Sequence, residues 1–171
     1  MTDVLSMKRL YFLFMIILAT QISWAQNFSE YSKKIIPEKL QSFKFSTSKT
    51  ADVQKTLGDA KQTKQSGQET TLFYNLNGVD FDTSLGFKSD KLVYIYLSHI
   101  PGSLSFLDFE GLFSKADIET ALKEMNKVKG HEKGRYFELT HKKEGLRLRF
   151  QNTDKKLLLS ATVWTPGQAK P

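Results

Sequence analysis

The sequence contains no cysteine and only 4 prolines among its 171 residues. Without cysteine the chain has no disulfide, no thiol nucleophile and no thiolate-bound metal. A chain of this size must then be stabilised by packing, and its 13 phenylalanines are enough to build a hydrophobic core.

Long apolar runs are also scarce, because the longest, residues 10–19, covers ten residues. A helix that spans a bilayer needs about 20 apolar residues. Lys8-Arg9 precedes this run, and Ser23-Trp24-Ala25 places small residues just before a cut at Gln26. These three parts predict a cleavable signal peptide over residues 1–25.

The expected signal peptide assigns the protein to a bacterial periplasm or to the medium beyond it. Asp3 lies upstream of the positive pair, so Met7 is an alternative start to Met1. No cysteine follows the apolar run. We therefore expect no lipid anchor and no stable membrane anchor after cleavage. Because the expected compartment lies outside the cytoplasm, we also expect no nucleic acid partner.

Two helices are predicted at the start of two consecutive stretches, residues 48–112 and 113–171, which follow a lead-in at 26–47. The lead-in itself predicts a short helix at 29–36 and a strand at 40–45. Apolar residues are spaced for one face of each main helix. They are Ala51, Val53 and Leu57 in the first helix, and Ile118, Leu122 and Met125 in the second.

The ends of these helices are marked by capping residues. The first has a serine or threonine cap within residues 48–50, and Gly58 is suited to its C-terminal end. The second begins at Ser114 with Ser-Lys-Ala-Asp, which is similar to a capping box.

Three strands are predicted after each helix, at 70–76, 79–87 and 91–98 and at 135–141, 146–151 and 157–165. The polar segment 61–69 is predicted as a loop, Asn77-Gly78 as a hairpin turn, and 104–109 as a short strand or a connector. Alternation in the second strand places Val79, Phe81, Leu85 and Phe87 on one face and Asp80 and Asp82 on the other.

The two helix openings compare closely. Residues 50–57 (TADVQKTL) and 115–122 (KADIETAL) share alanine, aspartate and leucine at matching positions. Each helix is followed by a polar loop and by an aromatic-led strand. The pattern predicts an α+β fold in which helices pack on an antiparallel sheet, built as two tandem halves of one helix and three strands.

This order of elements, with Val53-x-x-x-Leu57-Gly58 before a strand containing Tyr74, resembles the helix-plus-sheet units of the outer-membrane assembly lipoproteins of SmpA/OmlA type. Two such units in tandem resemble β-lactamase inhibitory protein. The resemblance covers residues 48–165 and rests on a short motif. The chain lacks the lipid-bearing cysteine of the first group and the cysteine pairs of the inhibitor. The resemblance implies a fold and assigns no functional residue.

Positive charge is concentrated in one segment, because residues 127–156 hold ten basic and four acidic side chains, whereas residues 26–126 hold 12 and 13. Arg147 and Arg149 alternate with apolar residues, so both leave the same sheet face. Lys142 and Lys143 occupy the adjoining turn, and Arg135 begins the neighbouring strand. Such a cluster attracts carboxylates or phosphates. Alternatively, it is a solvated face with charges that protect a sheet edge.

Aromatic residues suggest a second recognition patch on the strand at 91–98. Alternation places Val93, Ile95 and Leu97 on one face, and Leu92, Tyr94 and Tyr96 on the other. Tyr94 and Tyr96 then form an exposed aromatic patch, or else they are covered by a second layer.

Catalytic and metal-binding arrangements are weakly represented. His99, His131 and His141 lack the spacing of a zinc site, and no Gly-x-Ser-x-Gly motif occurs. The pairs Asp80/Asp82 and Asp108/Glu110 are each expected on one strand face, which a glycoside hydrolase would require and which outward polar strands also produce. We expect no metal and no cofactor.

The sequence therefore predicts a non-enzymatic exported protein that binds a partner through a sheet face. An acidic protein or an anionic envelope component would suit the basic cluster. Two alternatives stay open: an envelope hydrolase that uses the paired carboxylates, and a structural envelope component.

Overall fold

A computed structural model describes residues 28–100, 104–125 and 134–168. The predicted signal peptide lies outside these ranges. Within them, no helix has the length and apolar character needed to cross a membrane. The helices are α1 (Glu30–Ile35), α2 (Thr50–Leu57) and α3 (Lys115–Met125), with 3-10 helices at Glu38–Leu40 and Phe106–Leu112. The strands are β1 (Gln62–Ser66), β2 (Glu69–Tyr74), β3 (Thr83–Lys88), β4 (Lys91–Ser98), β5 (Tyr136–His141), β6 (Leu146–Gln151) and β7 (Leu158–Trp164).

All seven strands form one antiparallel sheet in the order β1-β2-β3-β4-β7-β6-β5. Neighbouring strands are joined by short connections except at the centre, where β4 pairs with β7. The strands of both predicted stretches therefore belong to a single sheet.

Several predicted elements are confirmed at their expected places. Strands β5, β6 and β7 differ from the predicted ranges by at most one residue at each end. The box at the start of α3 is present, because the hydroxyl and the backbone N–H of Ser114 both donate to Asp117, whose own N–H donates to the Ser114 hydroxyl. Gly58 ends α2 with a φ of 81°, a left-handed value that suits glycine.

The expected face of α2 is only partly correct. Val53 is buried and Leu57 is half-buried, but Ala51 is exposed. A helix of eight residues makes little more than two turns, and the face that carries Val53 does not extend to Ala51.

Strand β1 lies in the polar segment that was predicted as a loop. Its five residues are all exposed, so no apolar alternation marks it in the sequence. It is an edge strand, held by its pairing with β2 from Gln62↔Phe73 to Ser66↔Glu69. The prediction of a strand at 40–45 is wrong. This segment forms a 3-10 helix and turns, in which Leu40, Phe43 and Phe45 are buried.

The predicted strand at 79–87 is only half present, because β3 begins at Thr83 and residues 75–82 form a loop. The loop is closed by Asp82, which is 0 % exposed. Its carboxylate accepts the backbone N–H groups of Leu76, Asn77 and Val79 and the hydroxyl of Thr83. Asp82 therefore does not leave an open strand face beside Asp80.

A bulge changes which residues of β4 share a face, so the predicted faces are partly wrong. The register shifts between Gly86 and Phe87, so that Leu92 pairs with Phe87 while Tyr94 pairs with Gly86. Val93 is the extra residue, and Leu92 lies with Ile95 and Leu97 in the core instead of with the tyrosines. The segment predicted as a strand or connector at 104–109 is the 3-10 helix, preceded by a bridge between Ser105 and Leu157.

One buried cluster contains apolar side chains from the helices, the lead-in and one face of the sheet. Val53 of α2 and Ala121 of α3 belong to it, together with a group of aromatic rings. Phe150 lies at the centre of that group, with ring centroids 5.5 Å from Phe137, 5.7 Å from Phe106 and 6.1 Å from Phe109. The phenylalanines thus form the packing on which a chain without cysteine depends.

Asp82 leads to a prediction about acid stability. Burial acts to raise the pKa of its carboxyl, but the hydrogen bonds outweigh burial and the pKa is lowered. A lowered pKa in the folded state stabilises the protein above the unfolded value of about 4, and this stabilisation is lost as the pH falls through the folded value. Asp82→Asn should cost about 2–3 kcal/mol at pH 7, measured by urea unfolding, because buried donors lose a charged acceptor.

The matched control is Asp80→Asn, an exposed carboxyl in the same loop, which should change stability by less than about 0.5 kcal/mol. The difference between wild type and Asp82→Asn should shrink below about pH 4. Equal urea midpoints for both variants at pH 7 would contradict this role of Asp82.

Candidate functional site

The face of the sheet opposite the core cluster carries four of the predicted site residues, Arg147, Arg149, Tyr94 and Tyr96, and we call it the outer face. The pairing aligns its side chains in rows across the strands. One row is Phe73, Ser84, Tyr96, Thr162, Arg147 and Thr140, and the next is Thr71, Gly86, Tyr94 and Trp164. Because neighbouring strands lie about 4.8 Å apart, Tyr96 and Arg147 are separated by about 10 Å.

Arg149 is held in place by its neighbours on β5. Its Nε donates to Oε1 of Glu138 at 2.8 Å, and its Nη2 donates to the same oxygen. Its guanidinium carbon lies 4.2 Å from the ring centre of Tyr136. Burial acts to lower the pKa of Arg149, but the hydrogen bond and the charge of Glu138 raise it above its ordinary value. Arg149 is therefore a fixed cation.

Arg147 is less well satisfied. Its Nε lies 3.8 Å from Oε2 of Glu138, which is an ion-pair contact and too long for a hydrogen bond. This Nε is buried and has no hydrogen-bond acceptor among the described residues. The side chain as a whole is 36 % exposed, so an external anion can approach its other nitrogens. Arg147 therefore keeps a donor capacity that the fold does not use.

Tyr94 and Tyr96 lie on the outer face as predicted, and both are half-buried. The Tyr94 ring covers Gly86, where an added Cβ would come within 1.9 Å of a ring carbon. The Tyr94 hydroxyl lies 3.3 Å from Oγ1 of Thr71. Tyr94 is therefore fixed by its cross-strand neighbours, while Tyr96 lies between the small side chains Ser84 and Thr162.

Trp164 extends this aromatic group. It is the cross-strand partner of Tyr94 and is 1 % exposed. Its indole N–H donates to the carbonyl oxygen of Gln168 at 3.0 Å, which shows that the segment after β7 folds back over it. The sequence predicts that Trp164 lies in a strand. Only the register of β7 against β4 shows that its side chain is on the outer face.

The remaining basic residues of the predicted cluster are divided between the two ends of the β5–β6 hairpin. Lys142 and Lys143 are exposed in the connecting turn, as expected. Arg135 is exposed at the start of β5, where its carbonyl oxygen accepts the N–H of Asn152. With about 3.3 Å per residue, Arg135 and Lys142 lie about 20 Å apart. The structure therefore does not bring them into one cluster.

The loop before β3 presents a feature that sequence reasoning missed. Phe81 is 47 % exposed and has a φ of 55°, which is unusual for a bulky residue. Its ring packs edge-on against Phe73 at 6.0 Å, and its N–H donates to the Asn75 side chain. A conformation this costly is found where the surrounding structure holds it, here through Asn75 and Asp82.

The paired carboxylates do not lie on strand faces. Asp108 is in the 3-10 helix and accepts both the N–H and the hydroxyl of Ser105, and Asp82 closes its own loop. Both carboxylates are therefore held by local donors. No group of three or more potential metal ligands occurs within the described ranges. His99 is exposed, His141 contacts Phe113 edge-on at 5.9 Å, and His131 lies outside those ranges.

Comparison with protein-family models, with characterised proteins and with solved structures gives no match for this chain. The resemblance to tandem helix-plus-sheet units therefore stays a prediction.

Gly86 and Tyr94 lead to a second prediction. Gly86→Ala should displace the Tyr94 ring and cost about 1–3 kcal/mol in urea unfolding. In a double-mutant cycle with Tyr94→Ala, the combined cost should fall short of the sum by about 1 kcal/mol or more, because the clash disappears with the ring.

The control is Gly111→Ala, where the added Cβ meets its nearest atom, Tyr31 Oη, at an ordinary 3.4 Å. It should change stability by less than about 0.5 kcal/mol. Strict additivity of the costs of Gly86→Ala and Tyr94→Ala would show that the position of the Tyr94 ring does not depend on the absence of a side chain at residue 86.

Proposed function

We propose that this chain is an exported, non-enzymatic binding protein that holds an acidic partner on its outer face. The observation that carries the proposal is Arg147, whose side chain is 36 % exposed and whose contact with Glu138, at 3.8 Å, is too long for a hydrogen bond. It lies in the same row as Tyr96, which offers a half-buried aromatic surface. A cation with unused donors beside aromatic side chains is suited to a carboxylate or phosphate flanked by apolar groups.

The partner class follows from the charge and from the expected compartment. Between an acidic protein and another anionic envelope component, we favour an acidic protein. The outer face is an extended set of rows across six strands, and a surface of this extent suits a macromolecule better than a small anion. Nucleic acid is not proposed, because the predicted signal peptide directs the chain outside the cytoplasm.

We also propose that the sheet arose from two tandem halves, each of one helix laid against three strands. Strand β1 comes directly after α2 and has no counterpart among the described residues after α3. The other strands support this division, since β2-β3-β4 completes the first series, β5-β6-β7 follows α3, and the last strands of both sets meet at the centre. The central β4–β7 contact is antiparallel, as a two-fold relation between the halves requires.

The proposal is tested by retention of a partner. The mature chain, residues 26–171, is immobilised, exposed to envelope extract, and the retained proteins are identified by mass spectrometry and then purified. Reversal of both charges by Arg147→Glu and Arg149→Glu should abolish binding of the purified partner. Because the second change also breaks the Glu138 pair, Arg147→Gln is the cleaner variant, and we expect it to weaken binding by about tenfold.

The matched control is Arg135→Gln, an exposed arginine at the far end of the hairpin, which should leave affinity within about twofold. Thermal unfolding of each variant separates lost binding from lost folding. Unchanged binding after the double reversal would discard the outer face as the binding surface.

Glu138 gives a prediction in the opposite direction. Glu138→Gln removes the carboxylate that both arginines face, so the partner should bind several-fold more tightly, with a stability cost within about 1 kcal/mol. The measurement is the dissociation constant at two salt concentrations. Weaker binding would mean that the Arg149–Glu138 pair itself shapes the surface that the partner recognises.

A further inference from the structure

A pocket of about 550 Å³ opens between the 3-10 helix Phe106–Leu112 and the turn that joins β6 to β7. It has a size typical of small-ligand sites. Three apolar residues and three charged ones contribute to its lining, together with Ser105. They are Phe106, Leu107, Leu157, Asp154, Lys155 and Lys156.

The walls of this pocket are fixed by backbone hydrogen bonds. The N–H of Phe106 donates to the carbonyl oxygen of Lys156 at 3.0 Å, and the N–H of Leu158 donates to that of Leu104 at 2.9 Å. The ring of Phe106 packs edge-on against Phe150 in the core. The turn and the start of the 3-10 helix therefore form one rigid unit, on the core side of the sheet and away from the outer face.

The apolar wall includes a side chain that the fold leaves uncovered. Leu107 is 74 % exposed, the highest value among the large apolar residues of the described chain. Phe106 and Leu157, beside it, are half-buried. A ligand that covers this wall would remove apolar surface from water.

The charged part of the lining is positive. Lys155 is exposed and Lys156 is half-buried, and no carboxylate within the described ranges lies within 4.0 Å of either ammonium group. Lys156 has a φ of 44°, held by its N–H to the Thr153 carbonyl oxygen and by the Phe106 bond. Asp154 opposes these charges in part, which leaves a single net positive charge in the turn.

We propose that this pocket binds a single-chain amphiphile with an anionic head, either a carboxylate or a phosphate. The apolar chain contacts Phe106, Leu107 and Leu157, and the head binds Lys155 and Lys156. The complementarity between an apolar wall and adjacent ammonium groups that have no carboxylate partner among the described residues carries this assignment. The site does not include Arg147 and is independent of the proposed outer-face function.

The test titrates the mature chain with dodecanoate and with dodecyl phosphate, both below their micellar concentrations, by calorimetry and by NMR. We expect saturable one-to-one binding of both probes and none of dodecyltrimethylammonium. Lys155→Gln with Lys156→Gln should weaken binding about tenfold or more, because the head loses both cations. Leu107→Ser should weaken it several-fold without affecting folding, since this side chain is exposed.

The charge-matched control is Lys142→Gln with Lys143→Gln, a lysine pair in the turn at the opposite end of β6, which should leave binding unchanged. Arg147→Gln should also leave it unchanged, so failure of the outer-face proposal and failure of this one are distinguishable. An equal loss of affinity in both lysine-pair variants would show that binding depends on the total charge of the protein and not on this pocket, and would overturn the assignment.

A bilayer is the other source of anionic heads on apolar chains. Sedimentation with vesicles of phosphatidylglycerol and phosphatidylcholine separates the two sources. Binding to vesicles without binding of free dodecanoate would identify a membrane surface as the ligand and overturn the pocket proposal. Absence of any binding to the free probes would overturn it as well.

Discussion

The pairing of β4 with β7 is the contact on which the rest of the structure depends. Strands β1 to β4 form one series of hairpins, and β5 to β7 form another. Their junction, from Tyr94↔Trp164 to Ser98↔Ser160, makes one sheet and lets both series contribute to one core. The same register places Tyr96 two strands from Arg147. A one-residue slip would exchange core and outer residues along the whole junction.

Much of the second half could be predicted from the sequence, because β5 and β6 alternate between apolar and polar residues and the turns around them are short and polar. The first half was harder for three physical reasons. Strand β1 buries no side chain, so its position depends mainly on backbone pairing, which leaves no apolar pattern in the sequence. The bulge at Gly86 adds Val93 to one strand, and a single extra residue reverses every alternation before it. The loop closed by Asp82 alternates apolar and polar residues as a strand does, but its residues do not pair with a neighbouring strand.

The site was foreseen in part. Alternation correctly placed Arg147 and Arg149 on one face, and Tyr94 and Tyr96 on the same side of their strand. It did not identify Glu138 as the partner of both arginines, because that contact depends on the register of β5 against β6. Arg135 was grouped with the lysines by its position beside the hairpin, although antiparallel pairing puts it at the other end. The exposed Phe81 was not predicted, because a positive φ at phenylalanine has no sequence signature.

The two ends of the sheet are unequal. Strand β1 has only β2 to hold it among the described strands, and none of its side chains is buried. Its backbone groups can therefore separate from β2 at little cost in apolar contacts, so the sheet can fray from this side while the centre stays closed. Glutamine, threonine, lysine and serine along this border also offer a neighbouring molecule no apolar surface for edge-to-edge association. A strand that is held by backbone pairing to a single neighbour thus also carries side chains that discourage the addition of a foreign strand.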